Sequence, residues 1–146
     1  RGHCYTGGLE LALGCDLLVA SGTARFSDTH GKWGMTPRWG MSQRLPRRVG
    51  YLKAKEMSYT ARVYSGTDAV AIGLANQCVP DDELEIVVAS MAGEIVTTSW
   101  HSLRGNKMLY NKGQDYTFRE GMAFEMAKSP GRSSDIEERL KTFQKG

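Results

Sequence analysis

A glycine pair followed closely by a glutamate is the part of this sequence best suited to chemistry. Gly7 and Gly8 precede the helical pattern of Leu9–Gly14, and Glu10 lies three residues after Gly7. Backbone N–H groups at a glycine-rich helix start are left unpaired and can stabilise a negatively charged oxygen. Glu10 is about one helical turn away, so it can reach a substrate held there. A simple turn, with a glutamate that only interacts with the helix dipole, fits the same residues.

Histidine and cysteine side chains offer a second possible chemistry, which is metal binding. His3, Cys4, Cys15 and His30 carry suitable donor atoms, but their spacing matches no recognised zinc motif. The three cysteines, of which the third is Cys78, are far apart and form no CxxC pair. We therefore expect no metal site, and we expect reduced thiols in a cytoplasmic compartment.

The elements that must position the candidate site are short strands and loops. Apolar runs predict strands over Asp16–Ser21, Ala24–Ser27 and Leu74–Val79. The segment Asp28–Met41 is rich in glycine, tryptophan and methionine. It predicts an irregular loop that leads into a helix near Gly40.

Two further helices are predicted before residue 80. Tyr51–Ala61 has a helical period. Ser65, with Asp68 three residues later, resembles a capping box in front of a helix over Ala69–Ile72, and Gly73 ends that helix. The first part of the chain is therefore predicted to be mixed α/β.

After Pro80 the pattern is helical only. The acidic segment from Asp81 suits the start of a long helix. Three more helices are predicted over Trp100–Lys112, Thr117–Lys128 and Ser134–Gln144. The apolar faces of these helices indicate that they pack on something else, for example another subunit. We assign the chain to the α/β class, with a mixed segment over residues 1–80 and a helical segment over 81–146.

Composition limits the classes of protein to which the chain can belong. Of its 146 residues, 40% are hydrophobic and 24% are charged, as in globular domains, which excludes a mostly disordered chain. No apolar run approaches the roughly 18 residues of a membrane-spanning helix. The net charge is only +3, and aromatic residues do not interleave with the basic ones. We therefore expect neither a membrane span nor nucleic-acid binding.

Three blocks of the sequence carry a more specific pattern. The first is G-x4-GG-x-ELA-x2-CD-x3-A over Gly2–Ala20. The second is A-x-F over Ala24–Phe26, followed by G-x2-P-x2-G-x2-QRLPR-x-VG over Gly34–Gly50. The third is A-x3-GLAN-x2-VPD-x-EL over Ala69–Leu84. In this order and spacing the blocks resemble the crotonase family, the enoyl-CoA hydratases and isomerases. The resemblance covers residues 2–90 well and the helical tail loosely.

The resemblance implies a spiral of repeated ββα turns followed by an α-helical trimerisation region. This chain resembles the C-terminal half of that fold, with residues 1–80 as a partial spiral core and 81–146 as the oligomerisation region. A homotrimer or homohexamer is the implied assembly. The family's N-terminal half carries the other oxyanion donor and most of the CoA-binding loop. Because the sequence starts at Arg1, with no element before the glycine turn, we expect a fragment or a processed chain.

Roles for individual residues follow from the resemblance by position. Gly7 resembles the family's second oxyanion donor, through its backbone N–H, and Glu10 resembles the first catalytic carboxylate. His30 falls where true hydratases have their second catalytic glutamate. Trp33 and Gly34 are expected to bind substrate.

Several alternatives stay open around these residues. His30 could be a loop histidine bonded to the backbone, and Asp28 could orient His30 or cap a turn. Trp33 and Trp39 could line an acyl pocket or pack in the core. The family's glycines are replaced at Thr6, Arg38 and Met41. A basic run could form a solvated helix face or contact CoA phosphates; it consists of Arg44, Arg47, Arg48, Lys53 and Lys55.

The implied activity is the addition of water to the double bond of an enoyl-CoA thioester. The oxyanion hole holds the thioester oxygen as an enolate forms, and Glu10 positions water or moves a proton. His30 is the expected partner, because imidazole exchanges protons near neutral pH. Coenzyme A is part of the substrate, so we expect no separate cofactor. An enoyl-CoA isomerase, an acyl-CoA hydrolase and a non-catalytic family member are the alternatives.

Overall fold

Short strands and helices alternate in the first part of the chain, and helices alone make up the second. The computed structural model describes residues 1–143. The strands are β1 His3–Tyr5, β2 Val19–Ser21, β3 Arg25–Ser27, β4 Tyr64–Ser65 and β5 Gln77–Val79. The helices are α1 Gly7–Ala12, α2 Met41–Val49, α3 Tyr51–Thr60, α4 Gly66–Ala71, α5 Leu84–Thr97, α6 Trp100–Gly113, α7 Phe118–Lys128 and α8 Ile136–Phe143, with a 3₁₀ turn over His30–Trp33.

The chain divides into two compact units, and the first covers Arg1–Ser90. The predicted boundary at residue 80 between spiral core and helical region stays a prediction. The last residue of the predicted helix over Ser134–Gln144 lies outside the described residues. Among residues 1–143, no helix is both long and apolar enough to cross a membrane.

Parallel pairing of β1 with β3 decides where the candidate site forms. The register places Tyr5 opposite Ser27, so the two strands end side by side. The Thr6 N–H donates to the carbonyl of Ser27 at 3.0 Å just beyond the last pair. The chain therefore leaves β1 into α1 beside the point where it leaves β3 into the loop that starts at Asp28. Carboxyl ends of adjacent parallel strands are a common place for binding sites.

The other pairings complete two small sheets. Strand β4 pairs antiparallel with β3, which gives the order β1-β3-β4, and β2 pairs parallel with β5. The expectation that no element precedes the glycine turn is wrong, because His3–Tyr5 forms β1. That strand depends on β3, which lies about 20 residues further along the chain.

Two of the predicted strands start three residues later in the structure, for identifiable reasons. The N–H of Leu18 donates to the side chain of Asn76 at 2.8 Å, and Asn76 N–H donates to the Leu18 carbonyl at 2.7 Å. The ladder of β2 therefore starts only at Val19. The N–H groups of Leu74 and Ala75 donate back to the last turns of α4, so β5 starts only at Gln77.

The capping box predicted for α4 is present. Ser65 Oγ accepts from the Asp68 N–H at 3.1 Å, and the Asp68 carboxylate accepts from the Ser65 N–H at 2.9 Å. The hydrogen bonds from the Ser65 side chain and backbone lower the pKa of Asp68. The helix itself starts at Gly66, three residues before the predicted start at Ala69.

The core of the first unit lies under the helices that carry the site. Its fully buried apolar side chains come from α1, α2, α3 and the segment after α4; the largest are Leu9, Met41, Leu45, Met57 and Leu74. Burial of each such side chain contributes about 1.5–3 kcal/mol. This packing fixes α1, and with it Glu10, against the start of α2.

Helices α6 and α7 contact each other in the second unit. An open pocket of about 310 Å³ lies between them and is lined largely by apolar side chains, among them Leu109, Tyr116 and Phe118. The close approach of Pro130 to Gly105 explains a small residue there, because a Cβ on Gly105 would lie 2.8 Å from Pro130 Cγ.

Candidate functional site

Glu10 is buried near the start of α1, and a different segment holds its carboxylate. Its side chain is in the first turn of the helix, and the residue is only 3% exposed. Oε1 accepts hydrogen bonds from the backbone N–H groups of Trp39, at 2.8 Å, and Met41, at 3.1 Å. These two donors satisfy one carboxylate oxygen and leave Oε2 as the oxygen that faces His30.

His30 faces the free oxygen of Glu10 across a short gap. Its Nε2 lies 3.6 Å from Glu10 Oε2, slightly beyond hydrogen-bond range, and the residue is 7% exposed. Within the part of the chain that the structure describes, every fully buried side-chain nitrogen or oxygen has a hydrogen-bond partner. Neither Oε2 nor Nε2 has a hydrogen-bond partner among these residues, so both atoms keep some exposure to solvent. The predicted pair of Glu10 and His30 therefore comes together in the structure.

Asp28 holds the other side of the imidazole. Its Oδ1 accepts from His30 Nδ1 at 2.6 Å and from the His30 backbone N–H at 3.2 Å. Asp28 therefore both orients the His30 ring and caps the turn, which were the two alternatives for this residue. The alternative that His30 bonds only to backbone is wrong, because its ring contacts two carboxylates.

Ser58 completes this group and was not identified from the sequence. It lies on α3, and its Oγ–H donates to Asp28 Oδ2 at 2.6 Å. The sequence around Ser58 has only the ordinary helical period, and the contact spans 30 residues. No local signal could have found it.

Gly7 offers an unpaired backbone donor at the start of α1. Within residues 1–143, no group accepts a hydrogen bond from its N–H. The Trp39 ring lies over this position, since a Cβ on Gly7 would lie 3.0 Å from Trp39 Cζ3. Trp39 is nevertheless 62% exposed, so it covers Gly7 without being a core residue.

Thr6 helps to keep the turn before Gly7 in place through its side chain. Its backbone is in a strained region with φ of 49°. Its hydroxyl is hydrogen-bonded to the hydroxyl of Thr29, in the loop that carries His30. This contact adds a side-chain link between the two segments of the site.

Trp33 and Gly34 lie at the outer end of the 3₁₀ turn. Trp33 is 69% exposed, so the alternative that it packs in the core is wrong. Gly34 ends the turn with φ of 62° and has open space around its Cα. Their predicted role in substrate binding stays a prediction.

Arginines of the predicted basic run mostly donate hydrogen bonds to other groups of this chain. Arg44 Nη1 donates to the carbonyl of Trp39 at 2.8 Å, and Arg48 Nη2 donates to the carbonyl of Cys15 at 2.7 Å. Arg44 thus holds the peptide between Trp39 and Gly40, which lies between the two N–H groups that bind Glu10. This supporting role is a third possibility, besides a solvated face or a phosphate contact.

The remaining reactive groups are the cysteines and the side chains that could bind a metal. Cys4, Cys15 and Cys78 are all free thiols, and burial raises the pKa of Cys4. In the described residues, no three His, Cys, Asp or Glu side chains come together in a way that could hold a metal ion.

The chain is similar in sequence and fold to known proteins. The model of the family described as Enoyl-CoA hydratase/isomerase matches residues 1–145. The crotonyl-CoA hydratase of Syntrophomonas wolfei is 37% identical over 86% of this chain and 48% of its own length. The crystal structure of enoyl-CoA hydratase from Bacillus anthracis is 30% identical, with a TM-score of 0.93 over 99% of this chain and 57% of that one.

A third similar protein was solved with a ligand. The structure of a putative enoyl-CoA hydratase from Thermobifida fusca, in complex with acetoacetyl-CoA, is 27% identical, with a TM-score of 0.83 over 88% of this chain and 50% of that one. The chain thus spans about half the length of these relatives. The predicted crotonase-like α/β fold is confirmed by these neighbours.

Proposed function

Because the chain belongs to the enoyl-CoA hydratase/isomerase family, which confirms the resemblance noted in its sequence, we propose that it supplies the proton-transfer half of an enoyl-CoA hydratase site. The substrate is an enoyl-CoA thioester, and the reaction adds water across its Cα–Cβ double bond. The observation that carries the proposal is the buried pair of Glu10 Oε2 and His30 Nε2, 3.6 Å apart.

The Gly7 N–H acts as one hydrogen-bond donor to the thioester oxygen. As the water oxygen bonds to Cβ, the π electrons move toward the thioester oxygen and an enolate forms. The Gly7 N–H stabilises the negative charge of this enolate. Removal of one such donor costs about 2.7–4 kcal/mol in comparable sites. A second donor belongs to the family's N-terminal half, so the complete site needs that half as well.

Glu10 and His30 act as one pair that moves two protons. The basic member accepts a proton from the attacking water, and the protonated member gives a proton to Cα as the enolate collapses. Proton exchange with solvent water then returns both groups to their starting protonation states, because one gives up a proton and the other takes one up. The sum is one water consumed, with OH on Cβ and H on Cα.

Substitution of Glu10 tests this role. Glu10→Gln keeps an oxygen for the Trp39 and Met41 N–H groups but cannot accept a proton, so we expect kcat for crotonyl-CoA hydration to fall about 10²–10⁴-fold. The assay follows loss of the enoyl absorbance in the longest natural polypeptide that contains this chain. Glu94→Gln, on the exposed part of α5, is the control and should keep full activity. Unchanged hydration in Glu10→Gln would exclude the proposed role.

His30 also supports a second reaction of the same site. Imidazole in place of a second carboxylate suits movement of one proton between Cα and Cγ, as in an enoyl-CoA isomerase, or activation of water for thioester hydrolysis. The same preparation, offered 3-enoyl-CoA and saturated acyl-CoA esters, separates the three reactions. Hydratase activity predicts turnover of the 2-enoyl ester and little turnover of the others.

The proposal also covers the division of the fold, the oligomeric state, the cofactor and the compartment. Residues 1–80 form the C-terminal half of a ββα spiral, and residues 81–146 form a helical region that assembles a homotrimer or homohexamer. No cofactor is needed beyond the CoA of the substrate. The three free thiols support a reducing compartment such as the cytoplasm.

A further inference from the structure

The contacts of Asp28 determine which nitrogen of His30 carries a proton. An ionised carboxylate only accepts hydrogen bonds, so the 2.6 Å contact between Asp28 Oδ1 and His30 Nδ1 requires the hydrogen on Nδ1. Nε2, which faces Glu10, is then the nitrogen that gains and loses a proton. We propose that Asp28 and Ser58 are positioning residues that hold His30 in this single tautomer.

Three donors hold the Asp28 carboxylate in place. Oδ1 takes the backbone N–H and ring Nδ1–H of His30, while Oδ2 takes the hydroxyl of Ser58. Asp28 and His30 are both buried, where a carboxylate that lacks such donors is costly. Because donors on both oxygens fix the plane of the carboxylate, they also fix the direction in which it holds the imidazole.

Ser58 acts through Asp28 and not as a nucleophile. Its hydroxyl donates to the carboxylate, and the imidazole is already engaged by Asp28 on one side and faces Glu10 on the other. A serine nucleophile would need a base on its own hydroxyl proton. The order of contacts is therefore Ser58, Asp28, His30, Glu10, which leads from α3 to the start of α1.

A neighbouring contact provides the matched control. Ser27 Oγ donates to the carbonyl of Ala61 at 3.0 Å, so it also ties the end of β3 to the end of α3. Ser27 is fully buried, but its hydroxyl does not contact Asp28 or His30. Ser27→Ala therefore removes a hydrogen bond between the same two elements and leaves the carboxylate of Asp28 untouched.

The first test is the tautomer itself, measured on the 146-residue chain. Two-bond ¹H–¹⁵N correlation spectra of ¹⁵N-histidine-labelled protein distinguish Nδ1–H from Nε2–H, and the His30 signals are assigned by their loss in His30→Gln. We expect the Nδ1–H form alone in the wild type and in Ser27→Ala. We expect mixed tautomers in Ser58→Ala and a shift toward Nε2–H in Asp28→Asn, whose amide can donate to Nδ1.

The second test is kinetic and depends on the proposed function. With crotonyl-CoA, we expect kcat to fall about 10²-fold or more in Asp28→Asn and about tenfold in Ser58→Ala. KM should stay within about twofold, because both residues act through His30 and have no proposed role in substrate binding. Ser27→Ala should keep the wild-type kcat.

The two tests separate this inference from the proposed function. A wild type that does not hydrate crotonyl-CoA would end the proposed function, while the tautomer spectra would still decide the role of Asp28. The inference is overturned if folded Asp28→Asn and Ser58→Ala keep the Nδ1–H form alone. It is also overturned if Ser27→Ala lowers kcat as much as Ser58→Ala, since the effect would then come from the packing of α3.

Discussion

At the scale of single residues, Glu56 connects α3 to the segment that follows it. Its carboxylate accepts from Lys53 Nζ at 2.6 Å, from the Tyr64 hydroxyl at 2.9 Å and from Arg62 Nη1 at 3.2 Å. The hydrogen bonds from Lys53 and Tyr64 lower the pKa of Glu56. Burial raises the pKa of Tyr64, and its hydrogen bond to Glu56 raises it further.

This lowered pKa predicts a loss of stability in acid. A carboxylate whose pKa is lower in the folded state stabilises the fold above its unfolded pKa, and that contribution disappears as pH falls through the folded value. We therefore expect Glu56→Gln to be less stable than the wild type at pH 7, with the difference shrinking below about pH 4.5. Urea unfolding between pH 7 and pH 3 measures it. A difference that stays constant over this range would contradict the assignment.

The residues of the candidate site were predictable to different degrees. Glu10, Gly7 and His30 could be placed because the blocks around them resemble a known family. The hydrogen bonds that anchor Glu10 could not be predicted. Their donors are the backbone N–H groups of Trp39 and Met41, and sequence patterns describe side chains. The same limit applies to Ser58, whose partner lies 30 residues away.

At the scale of elements, the junction between α2 and α3 depends on the backbone of Gly50. Its φ of 81° and ψ of 155° lie in a region that is essentially restricted to glycine. A Cβ on Gly50 would meet no atom within 4 Å, so only backbone strain opposes a larger residue. The turn between the two helices therefore depends on the backbone conformation of Gly50.

Alanine at this junction should destabilise the fold. We expect Gly50→Ala to lower the free energy of unfolding by about 1–3 kcal/mol. Gly93→Ala is the matched control, because Gly93 lies inside α5 and a Cβ there also meets no atom within 4 Å. It should raise stability by about 0.5–1 kcal/mol. Equal effects of the two substitutions in denaturant unfolding would show that the Gly50 backbone is not strained.

Elements with local signals were predicted better than those made by distant pairing. The capping box at Ser65 and the glycine at position 73 flank α4 within a few residues of each other, so the sequence alone located that helix to within three residues. Strand β1 depends on β3, and the length of β2 depends on the side chain of Asn76. Contacts of this kind are decided by the tertiary fold and leave little trace in a short window of sequence.

At the scale of the whole molecule, α7 presents an exposed apolar stripe. Phe118, Met122 and Met126 follow one another at four-residue steps, which places them on one helix face. Their exposed fractions are 87%, 46% and 85%. Surfaces of this kind are typical of assembly sites, which supports the proposed oligomer.

A charge on the stripe should weaken assembly. We expect the chain to elute as an oligomer and Met126→Glu to shift it toward the monomer, because a carboxylate is costly to bury at an interface. Ala127→Glu adds the same group to an exposed position of α7 outside the stripe and should keep the oligomer. Light scattering coupled to size-exclusion chromatography measures the masses. A wild type that is monomeric at all concentrations, or equal shifts in both variants, would contradict the proposal.

The way in which Glu10 is anchored also bears on how such a protein can diversify. Main-chain amides at positions 39 and 41 hold its carboxylate. The exposed side chain of Trp39 is therefore free to change while the acid stays where it is, whereas the side chain of Met41 is also fixed by its burial in the core. A substitution at position 39 would change the surface that lies over Gly7 and leave the anchor of Glu10 in place. Proline is excluded at both positions, since it removes the amide hydrogen on which the arrangement depends.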